Sequence, residues 1–426
     1  MKTSKYNLIF EHQGKTLAFN SCTCALVETN SEFLNILDNC EKDHFSMENI
    51  KTVELMKLGN YIIEDDYDEF EHLKSIKSQE KIGKQSLNLI IVPTCTVASF
   101  CWYDTVSEKY MSTKTQKAIF NAVENAAKNK FDINVTWYCE KPFKSSEPLF
   151  SMSEKFINIC RKQGVIYKAA IITNACSIDE FVIGNMIKAR ILKVQIIINE
   201  QKELYNSYKN INYENEKCAF NKIIENIKKL VSKNINTSIK INISKIKECD
   251  INIFSDLLKI NGLDKCTLDF SCLGDCSLAK TNYFITEKYT NLILKYKAML
   301  KSKGFPTLSY LNYPTPKTNY CEMDSLFSYV IDPFGNVYKC LRDIGNISKK
   351  VGNIISFKEI SNLYIDDALH MFKSPFNYEC CKNCNILPIC SRCCANEGLT
   401  PQKVKCEEWK NNLIKVLKFA YEDKIK

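Results

Sequence analysis

The chain has 426 residues, of which 45% are hydrophobic and 25% are charged, and its net charge is +9. This length allows two or three domains with sizeable cores, and the composition is typical of globular proteins. No apolar run is long enough to span a bilayer, no N-terminal stretch has the pattern of a secretory signal, and no nucleic-acid-binding module is recognisable. We therefore expect a cytoplasmic protein without a membrane or nucleic-acid partner.

Cysteine is unusually frequent, with 22 residues in the chain. Cytosolic thiols are kept reduced, so cysteines in such a protein are more often metal ligands or catalytic groups than disulfide partners. The cysteine content therefore favours metal binding.

The front of the chain, residues 1–84, is predicted to be a small separate unit. Residues 7–10 and 15–19 flank the turn residues Gln13 and Gly14, a pattern that predicts a β-hairpin. A hairpin followed by helices and a further strand is typical of a winged-helix-like α+β module.

Two helices and a short strand follow the hairpin in this unit. Helical spacing runs over residues 24–37 and 47–58, and Gly59 is predicted to end the second helix before a strand over residues 61–63. The acidic stretch 64–71 is predicted to be a solvated surface that leads into a helical linker.

From residue 85 to residue 303, buried strands alternate with helices. Strands are predicted over residues 87–92, 133–138, 168–172, 194–198, 238–243 and 267–270. Helices are predicted over residues 114–129, 153–163, 178–189, 219–233 and 287–301. This alternation predicts parallel strands joined by helical crossovers, in a partial barrel or an open sheet that binds ligands at the carboxyl ends of its strands.

The loops at the strand ends carry the first recognisable motif. The first loop reads Pro93-Thr94-Cys95-Thr96-Val97-Ala98-Ser99-Phe100-Cys101-Trp102-Tyr103-Asp104, and the second reads Trp137-Tyr138-Cys139-Glu140-Lys141-Pro142. The third contains Thr173-Asn174-Ala175, and Lys240 and Asn242 mark the fifth strand. On these residues the region resembles the radical SAM superfamily, specifically its peptide-modifying members with a SPASM tail.

The resemblance implies a four-iron cluster held by a Cys-x3-Cys-x2-Cys triplet, with S-adenosylmethionine chelated by the fourth iron. Alignment on the shared residues places Val97, Cys101 and Asp104 at the three ligand positions. Val97 has no lone pair for a metal, and iron–sulfur clusters prefer soft thiolates to a hard carboxylate. We therefore expect that a standard cluster of this type is not formed.

Other positions that contact the cofactor in that family also carry different residues in this sequence. Cys139 stands where a glycine lets the backbone approach the ligand closely, Ala175 replaces the glycine of Thr-Asn-Gly, and Lys240 cannot reproduce the forked contact of an arginine. The candidate cofactor-binding residues implied by the resemblance are Cys101, Asp104, Cys139, Asn174 and Lys240. Cys95, Cys101, Cys139, Cys176, Cys272 and Cys276 all follow predicted strand ends, where they either converge as substitute ligands or are small buried residues.

The tail, residues 304–426, has the cysteine spacing of a metal-binding domain. The pattern is Cys-x13-Gly-x4-Cys, then Cys-x2-Cys-x5-Cys-x3-Cys, then a last Cys. A two-residue gap lets both sulfurs of a tight turn reach one metal centre. Residues 329–340 resemble the SPASM hairpin, with Gly335 and Asn336 at its turn.

The resemblance implies two auxiliary [4Fe-4S] clusters in this tail. Carried over position by position, the ligands of the first cluster are Cys321, Cys340 and Cys394, and those of the second are Cys381, Cys384, Cys390 and Cys406. The first cluster lacks a fourth cysteine, which leaves an open iron site, a water or a peptide ligand. A structural zinc held by four thiolates is the alternative for the second site.

These predictions describe an α/β protein in three parts. Residues 1–84 form the winged-helix-like module, residues 85–303 a partial (β/α)6 TIM-like radical SAM barrel, and residues 304–426 a cysteine-rich SPASM domain. Tyr6-Asn7 and Asn20-Ser21-Cys22-Thr23-Cys24-Ala25-Leu26 resemble the lead-in of ribosomal-peptide maturases, whose front module often recognises a leader peptide by strand addition.

Three functional hypotheses remain open. The first is a degenerate radical SAM protein that binds a precursor peptide, or serves as a scaffold beside an intact paralogous maturase, without cleaving S-adenosylmethionine. The second is a working maturase that forms thioether or carbon–carbon crosslinks and holds its cluster through Cys95, Cys101, Cys139 and Asp104. The third is a structural protein whose tail binds zinc.

Overall fold

The computed structural model describes most of the chain. The described residues are 1–42, 49–83, 86–95, 109–139, 146–198, 220–242, 248–271, 287–306, 313–316, 325–356, 375–390 and 408–425. None of the helices within these ranges is long and apolar enough to cross a membrane.

The front of the chain contains a three-stranded antiparallel sheet of order β2-β3-β4 and a separate short strand pair, β1 with β5. These strands are β1 Lys2–Thr3, β2 Asn7–His12, β3 Lys15–Asn20, β4 Ala25–Glu28 and β5 Ile62–Ile63. The predicted hairpin is present as β2 and β3, and its turn residues Gln13 and Gly14 both have positive φ. A hairpin with this turn is what the sequence predicts.

The helix predicted over residues 24–37 is wrong at its start. Ala25–Glu28 pairs antiparallel with β3, so these residues form a strand, and the helix begins only at Ser31. The Asn30 side chain caps it by accepting the N–H of Phe33 at 2.8 Å. The spacing of the four residues Ala25–Glu28 is compatible with either a helix or a strand. Pairing with β3 decides for the strand.

Three helices complete this part: α1 Ser31–Asn39, α2 Ile50–Leu58 and α3 Glu69–Gly83. Gly59 ends α2 as predicted, and a Cβ atom at this position would lie 2.5 Å from the ring of Tyr61. The buried core of this part is separate from the main core and consists of Ala18, Phe33, Ile36, Leu37, Cys40, Val53, Met56, Tyr61 and Ile62.

The acidic stretch 64–71 is not solvated throughout, contrary to the expectation from its charge. Glu69 is only 8% exposed, and its carboxylate accepts the Ser4 hydroxyl at 2.5 Å and the Lys5 N–H at 3.0 Å. A buried carboxylate needs such donors, and they come from the opposite end of this unit, which no local pattern can predict.

Among the residues described, the main sheet has nine strands in the order β13-β12-β11-β10-β9-β6-β14-β15-β16. Its first six strands are parallel and confirm the six predicted: β6 Ser86–Ile91, β9 Asp132–Tyr138, β10 Tyr167–Thr173, β11 Ile191–Ile198, β12 Asn236–Asn242 and β13 Thr267–Ser271. A separate two-stranded sheet after β6 is formed by β7 Thr94–Cys95 and β8 Lys109–Tyr110.

Helices connect successive strands of the parallel sheet. They are α4 Thr113–Lys128, α5 Ser146–Gln163, α6 Glu180–Lys188, α7 Phe220–Ser232, α8 Glu248–Ile260 and α9 Glu287–Ser302. The prediction missed α8, although Ile251, Phe254 and Leu258 follow one another at three and four residues and are buried.

The core lies on one face of the parallel strands. On β6 the alternate residues Leu87, Leu89 and Ile91 are buried in the main core, and Asn88 and Ile90 lie on the other face. The same alternation holds along β9. On these two strands the second face carries half-buried side chains, among them Asn88, Asn134 and Thr136, and we call it the inner face.

The tail continues the main sheet. It contributes β14 Ser328–Ile331, β15 Asn336–Tyr338 and β16 Gly352–Asn353, followed by α10 Glu379–Lys382 and α11 Glu408–Ile425. The hairpin predicted over residues 329–340 is present as β14 and β15, with Gly335 at φ 81° in its turn. Strand β14 also pairs in parallel with β6, a connection between the tail and the parallel sheet that the sequence did not predict.

Candidate functional site

The carboxyl ends of the parallel strands meet at one edge of the main sheet, and three of the five candidate cofactor-binding residues belong to this edge. Cys139 follows β9 directly, Asn174 follows β10 directly, and Lys240 lies near the end of β12. Cys101 and Asp104 lie outside the described residues, so their part in this site remains a prediction.

Cys139 is a buried side chain at the position where the resemblance calls for glycine. It is 2% exposed, and its backbone N–H donates to the carbonyl of Ile172 at 3.0 Å. Its sulfur lies 3.6 Å from the Thr94 hydroxyl, in a hydrogen bond that either atom can donate. The space beside the end of β6 is therefore filled by a side chain, where a glycine would leave the backbone open to a ligand.

The loop after β10 keeps a glycine-like backbone without a glycine. Ala175 has φ 61°, in the left-handed region that costs an L-residue about 1–2 kcal/mol. The loop is held by two local bonds: the Thr173 hydroxyl accepts the Ala175 N–H at 3.2 Å, and the Asn174 side chain accepts the Cys176 N–H at 3.1 Å. The Asn174 side chain is therefore hydrogen-bonded within its own loop.

Asn226 of α7 is a residue at this loop that sequence reasoning missed. It is buried, and its amide donates to the Ala175 carbonyl at 2.8 Å, which fixes the loop from a neighbouring helix. One feature of the sequence could have identified Asn226: it is a lone polar residue among the apolar positions of an amphipathic helix.

Lys240 has an acidic neighbour on the next strand. Its register partner on β13 is Asp269, and burial raises the pKa of the Asp269 carboxyl, whereas the positive charge of Lys240 partly counters this rise. Asp269 was not predicted as a site residue. The alternation of Thr267-Leu268-Asp269-Phe270, with Leu268 and Phe270 buried in the core, could have placed it on the inner face.

A polar row crosses the inner face further down the strands. The Asn134 amide donates to Asn88 at 2.8 Å, and the Asn88 amide donates to the Ser328 hydroxyl at 3.2 Å. The row borders a cavity of about 160 Å³ that also contacts Thr136 and the buried Lys339. This arrangement gives the inner wall hydrogen-bonding groups suited to a polar or peptide-like ligand.

Four of the seven predicted tail ligands are described: Cys340, Cys381, Cys384 and Cys390. Cys381 lies in α10, and the Cys384 N–H donates to the Cys381 carbonyl at 3.1 Å, so this pair flanks a tight turn. Cys380 is exposed, whereas Cys381 is half-buried. The tight turn and the half-buried side chain are compatible with the register in which Cys381 is the ligand.

The other three predicted ligands, Cys321, Cys394 and Cys406, lie outside the described residues. Within the described ranges, no group of three or more His, Cys, Asp or Glu side chains is placed to hold a metal ion. The assignment of seven ligands to two clusters therefore remains a prediction.

The surroundings of the Cys381 and Cys384 pair fit a metal bound through sulfur. Both side chains pack against a small apolar cluster of Tyr6, Phe376 and Leu387, as does Cys22 of the front of the chain. The Tyr6 hydroxyl is buried and has no hydrogen-bond partner in the described part of the chain. The site is apolar and rich in sulfur, and the Tyr6 hydroxyl there is a donor that lacks an acceptor. Both features are compatible with metal-bound thiolates or sulfides at this place.

Solved structures with a similar fold cover most of the chain. Polyhistidine-tagged anSMEcpe with bound AdoMet is 17% identical, with a TM-score of 0.57, over 80% of this chain and 94% of that chain. Native anSMEcpe with bound AdoMet and the Kp18Cys peptide is 17% identical, with a TM-score of 0.56, over 80% and 98%. Streptococcus suis SuiB bound to the precursor peptide SuiA is 13% identical, with a TM-score of 0.50, over 95% and 98%.

No protein-family profile matches the chain, and no curated protein sequence matches it either. At 13–17% identity, the structural likeness establishes the fold, and these neighbours are radical SAM enzymes. The mixed α/β architecture with its mostly parallel nine-stranded sheet is therefore that of a radical SAM-like fold.

Proposed function

We propose that the protein is a degenerate radical SAM protein with a SPASM-type tail that takes part in the maturation of a ribosomally made peptide. It binds a precursor peptide, or holds it for an intact paralogous maturase, and does not cleave S-adenosylmethionine. Support comes from the shared fold, since one structural neighbour is bound to a precursor peptide and another to AdoMet and a peptide.

The observation that carries this proposal is the side chain of Cys139. In the family that the chain resembles, the cofactor amino group approaches the backbone at this point. Here a buried thiol in contact with Thr94 occupies the strand end. Together with Lys240 in place of an arginine, it removes two of the contacts that would hold S-adenosylmethionine in a productive orientation.

The tail is proposed to hold two auxiliary clusters, the first through Cys321, Cys340 and Cys394 and the second through Cys381, Cys384, Cys390 and Cys406. Such clusters supply an electron-transfer or Lewis-acid centre when bound. The chain's contribution is the tight Cys381–Cys384 turn and the apolar packing of Tyr6, Phe376 and Leu387 around it.

The front sheet is the proposed peptide-binding element. Its order is β2-β3-β4, so β2 and β4 are its edge strands in the part of the chain that the structure describes. Edge strands present unpaired backbone groups to which an extended peptide can add. Ile9 on β2 is 47% exposed and offers an apolar contact on this strand.

Anaerobic reconstitution with iron and sulfide, followed by incubation with S-adenosylmethionine and a reductant, tests the proposal. We expect about eight iron and eight sulfide per chain, as for two four-iron clusters, and no 5'-deoxyadenosine. An active radical SAM enzyme added to a parallel sample serves as the control that the conditions support cleavage.

Two other results would each favour a different hypothesis. Formation of 5'-deoxyadenosine by the pure protein would overturn the degenerate assignment and favour a working maturase with Cys95, Cys101, Cys139 and Asp104 as substitute ligands. Zinc without sulfide would instead support a structural tail.

A further inference from the structure

The Tyr6 side chain has a fixed position between the front of the chain and the tail. Its backbone N–H donates to the Ser4 hydroxyl at 3.2 Å, and its carbonyl accepts the Ser21 N–H at 3.0 Å. The side chain is fully buried, and Phe376 and Leu387 of the tail pack with it. The ring therefore cannot turn its hydroxyl to solvent without breaking this packing.

The Tyr6 hydroxyl is unsatisfied in its own neighbourhood. It has no hydrogen-bond partner among the described residues, although nearly all buried polar atoms in proteins have one. The side chains packed with it include Phe376 and Leu387, which cannot accept its proton, and the sulfur-bearing Cys22, Cys381 and Cys384. The Lys5 ammonium lies 5.1 Å from the centre of the Tyr6 ring and is a donor only.

A contact between the two parts lies beside this cluster. The Ser21 hydroxyl donates to the carbonyl of Asn385 at 2.5 Å, and Asn385 directly follows Cys384. The front of the chain thus binds the backbone at the turn that carries the predicted metal ligands.

We propose that Tyr6 donates a hydrogen bond to a sulfur atom of the metal centre held by Cys381 and Cys384, so that the front of the chain supplies a positioning residue for the tail. This inference rests on the proposed function, because it requires a metal in the tail. Hydrogen bonds to cluster sulfurs stabilise the bound and reduced states of such centres.

The test compares Tyr6→Phe with the wild-type protein, each as the reconstituted holoprotein and after removal of the metal with a chelator. In the metal-free form we expect Y6F to unfold at the same temperature as wild type or higher, because the variant removes an unsatisfied buried hydroxyl. In the loaded form we expect Y6F to release its metal to the chelator about tenfold faster, which corresponds to one lost hydrogen bond to a charged group.

An iron–sulfur centre offers a second readout. The ratio of reduced to oxidised cluster at a fixed potential should fall about tenfold in Y6F, which is a shift of about 59 mV for a one-electron couple. A purely structural role of Tyr6 would not move this potential.

Tyr61→Phe is the matched control. Tyr61 is also buried in the front of the chain, but its hydroxyl already has acceptors, the carbonyls of Ala18 and Ala25. We expect Y61F to lower the unfolding temperature of both forms by the same amount and to leave the potential and the metal-release rate unchanged.

The outcomes separate the inference from the proposed function. Equal metal release and equal potential in Y6F and wild type would overturn the inference alone, with the tail metal intact. A wild-type protein that binds neither iron nor zinc would overturn both. Zinc in place of iron and sulfide would overturn the auxiliary clusters, and faster zinc release from Y6F alone would still support the role of Tyr6.

Discussion

The described cysteines differ in what their surroundings allow them to do. Cys160 and Cys266 are buried, and burial as the main cause raises the pKa of each thiol to about 11. Cys380 is exposed beside the predicted ligand Cys381. The sequence identified the tail cysteines by spacing, but only burial separates inert thiols from accessible ones.

Alkylation of the reduced, metal-free protein should reflect this difference. At pH 8 a thiol with a pKa of about 11 is ionised to about one part in a thousand, and the thiolate is the reacting form. We expect iodoacetamide to modify Cys380 at least about a hundredfold faster than Cys160 or Cys266. Peptide mass spectrometry over time measures the three rates.

The direction of the pH effect follows from the raised pKa. Between about pH 8 and pH 9 the ionised fraction of Cys160 and Cys266 increases about tenfold, so their modification should accelerate about tenfold over this interval. In urea the three rates should converge. Similar rates for all three thiols in the native protein would contradict the burial described above.

The residues at the strand ends show which parts of the site a sequence reveals. The replacement of glycines by Cys139 and Ala175 is visible in the sequence, and so is Lys240 in place of an arginine. Asn226 and Asp269 stand out as polar residues in apolar patterns, but the groups that they lie beside, the Ala175 carbonyl and Lys240, come from separate elements and are not visible in the sequence. Long-range partners of this kind leave no fixed spacing.

At the scale of elements, the hairpin of β14 and β15 depends on one carboxylate. Asp332 is buried, and it accepts the N–H groups of Phe334 and Asn336 at 2.9 and 2.8 Å and the Asn336 amide at 2.9 Å. Gly335 takes a positive φ within the same turn, and a Cβ there would lie 3.2 Å from Asn353 and Ile354. The Asp332 carboxylate and the positive φ that glycine allows at position 335 therefore fix this turn together.

Asp332→Ala should destabilise the protein by about 2–4 kcal/mol, because it leaves several donors without an acceptor. Urea unfolding followed by circular dichroism measures the change. Asp332→Asn is the matched variant: one amide oxygen can still accept both backbone N–H groups, so we expect about half the loss. An unchanged free energy of unfolding in D332A would show that the turn does not need its carboxylate.

The elements themselves were predictable to different degrees. Strands β6 and β11 are runs rich in Ile, Leu and Val between polar turns, and this pattern is local. The prediction was wrong for strand β4 and for the start of α1, because pairing with β3 overrides the helical spacing of these residues. Strand β14 was predicted as part of a hairpin, but its second partner β6 lies about 240 residues earlier in the chain.

At the scale of the whole molecule, the front of the chain contacts the tail at several separate points. The Tyr313 hydroxyl donates to the Cys24 carbonyl at 2.7 Å, His12 lies 3.0 Å from Glu422, and Ser21 binds the backbone beside Cys384. Contacts over such sequence distances could not be predicted from composition or spacing. They join the backbone beside the tail cysteines to the front of the chain.

If the tail holds metal as proposed, removal of that metal should loosen the front sheet. We expect amide hydrogen exchange at residues 15–28 to become about tenfold faster after chelation, because the Cys384 turn that Ser21 binds would then lose the metal proposed to hold it. Exchange in β9 and β10 should stay unchanged, since these strands lie inside the parallel sheet. Equal protection of the front sheet before and after chelation would show that the two parts respond independently.

The pairing of β14 with β6 has a consequence for synthesis on the ribosome. Strand β6 ends at Ile91, but the strand that covers its outer edge ends only at Ile331. Until that segment has been translated, the nascent sheet exposes an open strand edge, which is a site for mispairing with other chains. The parallel sheet and the cysteine-rich tail must then finish folding together, late in translation, and a chaperone that shields this edge would act during that interval.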